Sequence, residues 1–214
     1  MFSGLKKDIK SKILSGILTI KLNDRSKNSI LITFDDGPNP ATTLKVLDRL
    51  KEYHARSIFF IPGVYIYKAP ILLRTIIEQG HLIGNHSFIH SNDRQPVFWK
   101  YYLDIKKCQN ELMQNLGIIP MFFRPPGGRI SLKSTVTPKL LGLKTILWSL
   151  DAGDWKCKTR SEADYCADYI KKNIQPGDIL LLHDDNPFVL DILDNILPEL
   201  KAREFDLFSG INFI

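Results

Sequence analysis

Cysteine is scarce in this chain, and the three present, Cys108, Cys157 and Cys166, form no C-x-x-C pair. An odd number without that spacing argues against a disulfide framework and against a thiolate zinc knuckle, so buried thiols are expected. Long apolar runs are also missing. None approaches the roughly 20 residues that a membrane-spanning helix requires. Low-complexity tracts, internal repeats and Pro/Gly-rich linkers are absent too, so the 214 residues are expected to form one body rather than an array.

Charge of one sign is scarce where it would matter for nucleic acid. The formal net charge of +6 is concentrated in residues 1–28, where Lys6, Lys7, Lys10, Lys12, Lys21, Arg25 and Lys27 oppose only Asp8 and Asp24. The remainder holds 22 basic and 21 acidic side chains. A nearly neutral body has no phosphate-tracking stripe, and no helix-turn-helix or finger spacing occurs, so no nucleic-acid partner is expected. Residues 1–28 read as a basic amphipathic extension preceding a domain at 29–214. In it Phe2, Leu5, Ile9, Ile13 and Ile17 recur at helical steps with lysines between them. Docking of that stripe on the body is the favoured reading. Peripheral contact of residues 1–22 with an anionic membrane is the second. No A-x-A-like cleavage site follows, so a cytoplasmic location or the membrane's cytoplasmic face is expected, with secretion or N-terminal anchoring as alternatives.

From residue 29 on, short β-rich runs alternate with segments of helical period, the pattern of parallel strands joined by crossover helices. Strands are expected near 29–35, 57–61, 82–85, 121–124, 144–149 and 178–183, with a further short one at 207–213. Helices are expected near 41–53, 69–79, 96–116, 131–142, 160–173 and 187–203. The polar residues then fall at strand ends. Asp35 and Asp36 close the first strand, His86 and His90 follow the third, Arg124 closes the fourth, Asp151 and Asp154 follow the fifth, and His183 closes the sixth. In a parallel α/β body these ends share one face, where active sites lie.

Two adjacent aspartates repel each other and need a cation, a proton or an arginine. His86 and His90, four apart, offer two imidazoles. Two imidazoles with one carboxylate leave coordination positions open, as catalytic zinc sites do, and free the other aspartate to act as a base. The same ligand set suits a non-haem iron oxygenase, and a barrel that only binds carbohydrate is a further reading. Elsewhere, Trp148 reads as core, Asp151 as a turn cap, and His54 and His81 as structural. Tyr65 and Tyr67 are candidate sugar-stacking residues.

The ordered motifs TFDDG (33–37), HSFIH (86–90), RPPGG (124–128), DAGDW (151–155) and LLH (181–183) resemble those of the polysaccharide deacetylases with the NodB homology domain, carbohydrate esterase family 4. The resemblance implies a distorted (β/α) barrel, one divalent metal ion and hydrolysis of the acyl amide of an N-acetylated sugar. It implies zinc, with cobalt, nickel or iron as alternatives. Asp36, His86 and His90 would hold the metal, and Asp35 would be the general base. Arg124 would pair with Asp35, Asp154 would orient His183, and His183 would be the general acid. Gly127 and Gly128 would line the substrate site with a backbone N–H for the oxyanion, and Trp155 and Leu181 would form the acyl pocket. Where many members carry an aromatic residue, this chain has Gly127.

Overall fold

The computed structural model describes residues 18–23, 27–90 and 97–214. Its centre is one eight-stranded parallel sheet: β1 (Leu18–Thr19), β2 (Leu31–Asp35), β3 (Ile58–Ile61), β4 (Leu82–Asn85), β5 (Phe122–Phe123), β6 (Lys144–Ile146), β7 (Leu150–Asp151) and β8 (Ile179–His183). The order across the sheet is β1-β6-β5-β4-β3-β2-β8-β7. β6 and β7 thus belong to opposite ends of the sheet, although only residues 147–149 separate them in the chain. Three residues bridge little more than about 14 Å, so the sheet must curl until its two ends nearly meet. The result is the distorted (β/α) barrel that the motif order implies.

Alternation along the strands sorts the side chains into two cores. Leu31, Ile58, Phe60, Phe122, Ile146 and Ile179 fill the barrel interior together with Leu22 and Ile211. Ile32, Phe34, Phe59, Ile61, Leu180 and Leu182 face outward into the larger core beneath the helices. Those helices are α1 (Thr43–Glu52), α2 (Tyr65–Lys68), α3 (Pro70–Glu78), α4 (Phe98–Leu116), α5 (Leu132–Leu140), α6 (Arg160–Asn173) and α7 (Val189–Ala202). Their faces follow from sequence period. In α1 the buried positions are Thr43, Val46, Leu47 and Leu50, one stripe at steps of three and four. α6 begins on a reciprocal cap in which Thr159 Oγ1 accepts from the Glu162 N–H and Glu162 Oε2 accepts from the Thr159 N–H. α4 ends where Gly117 takes a left-handed conformation.

Three expectations need correction. The strand expected at 144–149 breaks after Ile146, because the chain leaves β6 at one sheet edge and re-enters at the other as β7. The strand expected at 207–213 is instead a 3-10 turn, Ser209–Phe213, whose Ile211 and Phe213 plug the barrel interior. The barrel also begins before residue 29. Leu18–Thr19 pairs with β6, and Leu22 caps the interior core while its N–H donates to the Gly177 carbonyl at 2.8 Å. Residues 18–22 therefore belong to the sheet and its plug rather than to a helical extension. The rest of the expected amphipathic helix, residues 1–17, lies outside the described residues. Among the described residues no helix is long and apolar enough to cross a membrane.

Candidate active site

The parallel register carries the polar strand ends to one mouth. β2 and β8 pair so that Asp35 stands directly beside His183. Between them and the rim lies a cavity of about 390 Å³ lined by Asp35, Asp36, His90, Gly127, Trp148, Asp151, Trp155, Leu181 and His183.

On one wall, His86 Nε2 and His90 Nε2 lie 3.3 and 2.9 Å from Asp36 Oδ1. Ligand atoms of the three side chains fall within 4.8 Å of one another, so they could hold a metal ion. Two details fit one. Asp36 Oδ1 is buried and has no hydrogen-bond partner despite the two nearby nitrogens, an arrangement that a shared cation satisfies. His86 Nδ1 lies 2.8 Å from the Arg124 carbonyl, which only accepts, so Nδ1 carries the proton and Nε2 presents a lone pair. Burial pushes the Asp36 carboxyl up, but the adjacent His86 and His90 imidazoles outweigh it and hold the group far below the ordinary carboxylate range.

The loop presenting the imidazoles is fixed by residues that the motif reading passes over. Asn85 Oδ1 accepts from the Ser87 N–H, and the Asp104 carboxylate of α4 accepts from the N–H groups of Phe88 and Ile89. Ser87 and His90 both take positive φ. Nothing in the spacing of Asp104 from the motif marks it, because its link to the loop is made through space.

Asp35 stands deeper. Its Oδ1 accepts from Arg124 Nη1 at 2.7 Å, and its Oδ2 lies 3.7 Å from His86 Nε2. Arg124 has no exposed surface; it also donates to Thr33 Oγ1 and to the carbonyls of Ile146 and Leu147. Its guanidinium lies 4.1 Å over the Phe60 ring. Sealed in this way, Arg124 touches Asp35 and is not among the residues that line the cavity.

Beside Asp35, His183 Nδ1 donates to Asp154 Oδ1 at 2.9 Å, while Asp154 Oδ2 accepts from the His183 backbone N–H at 2.7 Å. Nε2 is left for the cavity. Burial pulls the imidazole down, but the Asp154 carboxylate raises it further, to about 9. Burial pushes the Asp154 carboxyl up against the same imidazole.

The glycine turn separates two roles. Gly128 donates its N–H to the Pro125 carbonyl at 2.9 Å, and Pro126 has no N–H, which leaves Gly127 as the turn's candidate oxyanion donor. A Cβ at Gly127 would meet nothing within 4 Å, so the mouth is open on that side. Gly128 does not line the cavity. At φ 63 it makes room for Trp148, whose Cη2 would lie 2.3 Å from an added Cβ. Alanine at 128 is expected to displace Trp148 and to cost about 1–3 kcal/mol by overpacking and positive φ, read as a lower Tm and changed tryptophan fluorescence.

Trp148, read as core, packs against the barrel's interior core and also lines the cavity. Asp151 lines it too while accepting from the Gly153 N–H at 2.7 Å, as a turn cap does. Leu181 is buried in the cavity wall and Trp155 is exposed at its rim. Tyr65 and Tyr67 are not among the lining residues. His81 lies away from the site, accepting on Nδ1 from the Ser57 N–H, and burial lowers it to about 4.

A parallel (β/α) barrel whose strand ends bring two imidazoles and a carboxylate beside an Asp–Arg pair and a His–Asp pair has the layout of a metal-dependent hydrolase. Its sequence relationships are narrower. The chain belongs to the polysaccharide deacetylase family, whose sequence profile matches residues 22–146. It is 36% identical over 199 residues to a peptidoglycan-N-acetylglucosamine deacetylase of Bacillus cereus, covering 89% of this chain and 90% of that one. It is 30% identical over 185 residues to the peptidoglycan-N-acetylmuramic acid deacetylase PdaA of Bacillus subtilis, covering 86% of this chain and 70% of that one. Among solved structures, the Bc1960 peptidoglycan N-acetylglucosamine deacetylase superposes with a TM-score of 0.83 at 30% identity, covering 92% of each chain. The peptidoglycan deacetylase PdaC of Bacillus subtilis gives a TM-score of 0.77 at 29% identity, over 85% of this chain and 87% of that one.

Proposed function

We propose that the protein is a zinc-dependent N-deacetylase that hydrolyses the acetamido group of N-acetylated sugars in a peptidoglycan-type glycan, releasing acetate and a free amine. The observation that carries this reading is the placement of Asp35 and His183 as ladder neighbours lining one cavity, with the Asp36, His86 and His90 cluster beside them. Relatives that act on N-acetylglucosamine and N-acetylmuramic acid of peptidoglycan support the substrate class.

Asp36, His86 and His90 would hold the ion, which when bound supplies Lewis acidity and lowers the pKa of water toward about 7. Asp35, fixed by Arg124, takes the proton from the attacking water through Oδ2. The Gly127 N–H donates to the oxygen that becomes negative as the carbonyl carbon turns tetrahedral. His183 gives the proton on Nε2 to the departing nitrogen, since an amine leaves poorly as an anion. Trp155, Trp148 and Leu181 surround the acetyl methyl with apolar surface and keep water from competing.

The two-histidine, one-carboxylate set also suits iron oxygenases, but those use a double-sheet β-sandwich, and this body is a parallel barrel. A barrel that only binds sugar has no need of paired base and acid. Zinc-loaded protein incubated with N-acetylated chito-oligosaccharides and peptidoglycan fragments should release acetate without O₂. Strict dependence on O₂, or no acetate from any N-acetylated glycan, would sink the reading.

A further inference from the structure

Behind the Asp35–Asp36 turn lies a buried acid that the chemistry above leaves unused. Asp184 follows His183 and has no exposed surface. Its Oδ2 accepts from Thr43 Oγ1 at 2.5 Å, and its backbone carbonyl accepts from Thr42 Oγ1. Its Oδ1 is buried without a hydrogen-bond partner and lies against Gly37, where a Cβ would come within 1.9 Å of it. Burial pushes the Asp184 carboxyl up to about 7, which lessens the charge that has to be kept from water.

What needs support here is Asp36. It forms the apex of a three-residue turn closed by the Gly37 N–H on the Asp35 carbonyl at 3.0 Å, and its φ is 68°. Positive φ is unfavourable for a residue with a side chain, and such a conformation persists only where its surroundings over-determine it. Upstream, the β2 ladders and the Arg124 pair hold Asp35. Downstream no strand follows, and the chain from Gly37 to Thr43 is tied to the end of β8. Thr42 and Thr43 bond Asp184, Asn39 Nδ2 donates to the Asp185 carbonyl at 3.1 Å, and the Asn39 N–H donates to Thr43 Oγ1 at 2.8 Å. The strained apex is therefore held between two anchors, Arg124 before it and Asp184 after it.

We propose that Asp184 is a positioning residue for metal binding: packed on Gly37 and bonded to Thr43, it fixes the turn so that Asp36 Oδ1 faces His86 and His90. The inference rests on the reading of those three side chains as metal ligands. It also explains why position 37 is glycine although its φ is not in the left-handed range: the space a Cβ needs is filled by Asp184.

The test is zinc affinity, measured by competition with a chromophoric chelator on metal-free protein, alongside kcat, KM and the Tm of the metal-free form. Asp184→Ala should bind zinc about 10–100-fold more weakly, the usual cost of losing a group that orients a ligand, with kcat reduced and KM within about twofold. Asp184→Asn keeps the shape and an acceptor for Thr43, and should stay within about threefold of the parent protein. Zinc affinity of Asp184→Ala equal to that of the parent overturns the proposal, as does a lowered Tm with affinity and kcat unchanged. If Asp184→Ala does not fold, Thr43→Ala against Thr43→Ser decides: weaker zinc binding in the alanine variant alone supports the role, and equal binding in both overturns it. A parent protein that binds no zinc sinks the ligand reading itself, whereas normal parent binding with an indifferent Asp184 sinks only this inference.

Discussion

Replacing His183 by alanine is expected to lower kcat by roughly 10²–10⁴-fold while leaving bound zinc at the level of the parent protein. The expectation follows from where the side chain stands. His183 is not one of the three clustered side chains, and its Nδ1 is bonded to Asp154. Loss of the imidazole takes away the proposed proton donor to the departing nitrogen and the Asp154 partner, and leaves the Asp36, His86 and His90 side chains in place. Elemental analysis beside steady-state kinetics checks both halves, and equal metal loss in this variant and in His86→Ala would break the division of roles. The pH profile adds a sign. An acid must be protonated to act, and Asp154 raises His183 from 6.5 to about 9, so activity should persist through neutral pH and fall as pH rises through about 9. Asp154→Asn removes the countercharge and one acceptor. The basic limb should then move down from about 9 toward 6.5, with kcat at pH 8 falling more than kcat at pH 6. A basic limb that stays in place in Asp154→Asn would mean that the limb reports another group.

The strand ends were legible from residue types because a parallel barrel converts sequence order into spatial convergence. Each motif closes an element whose direction is fixed by the crossover helices, so reading the alternation of β and α was enough to bring Asp36 to His86 and His90. The ladder between Asp35 and His183 was not readable, since it depends on β8 lying beside β2 rather than on either local sequence. The missed parts share that cause. Leu18–Thr19 joins the sheet although its neighbours have helical period, because an unpaired β6 edge offers more than local preference does. Residues 207–213 have the apolar content of a strand, but the interior they fill has no free ladder, and they enter as a 3-10 plug. Trp148 sits in an apolar run and does pack on the interior core, but its second role, lining the cavity, depends on which strand ends meet there. Asp104 and Asp184 make their contacts between distant segments and leave no trace in spacing.

His86→Ala is expected to remove metal and activity together, with zinc affinity reduced more than ~100-fold, beyond what changes to supporting groups cost. Three features make this imidazole the least replaceable of the three ligands. It is buried, whereas the His90 side chain is 44% exposed. Its tautomer is fixed by the Arg124 carbonyl, so its Nε2 lone pair is aimed before any ion arrives. It also stands between the two aspartates, 3.3 Å from Asp36 Oδ1 and 3.7 Å from Asp35 Oδ2, so it couples the ligand carboxylate to the base. Alanine there leaves two carboxylates facing a gap with one imidazole. His90→Ala keeps the aimed nitrogen and should bind zinc more tightly than His86→Ala does. Chelator competition on both variants, run beside acetate release, measures the order directly: zinc retained by His86→Ala with activity lost would show that His86 serves the reaction without holding the ion.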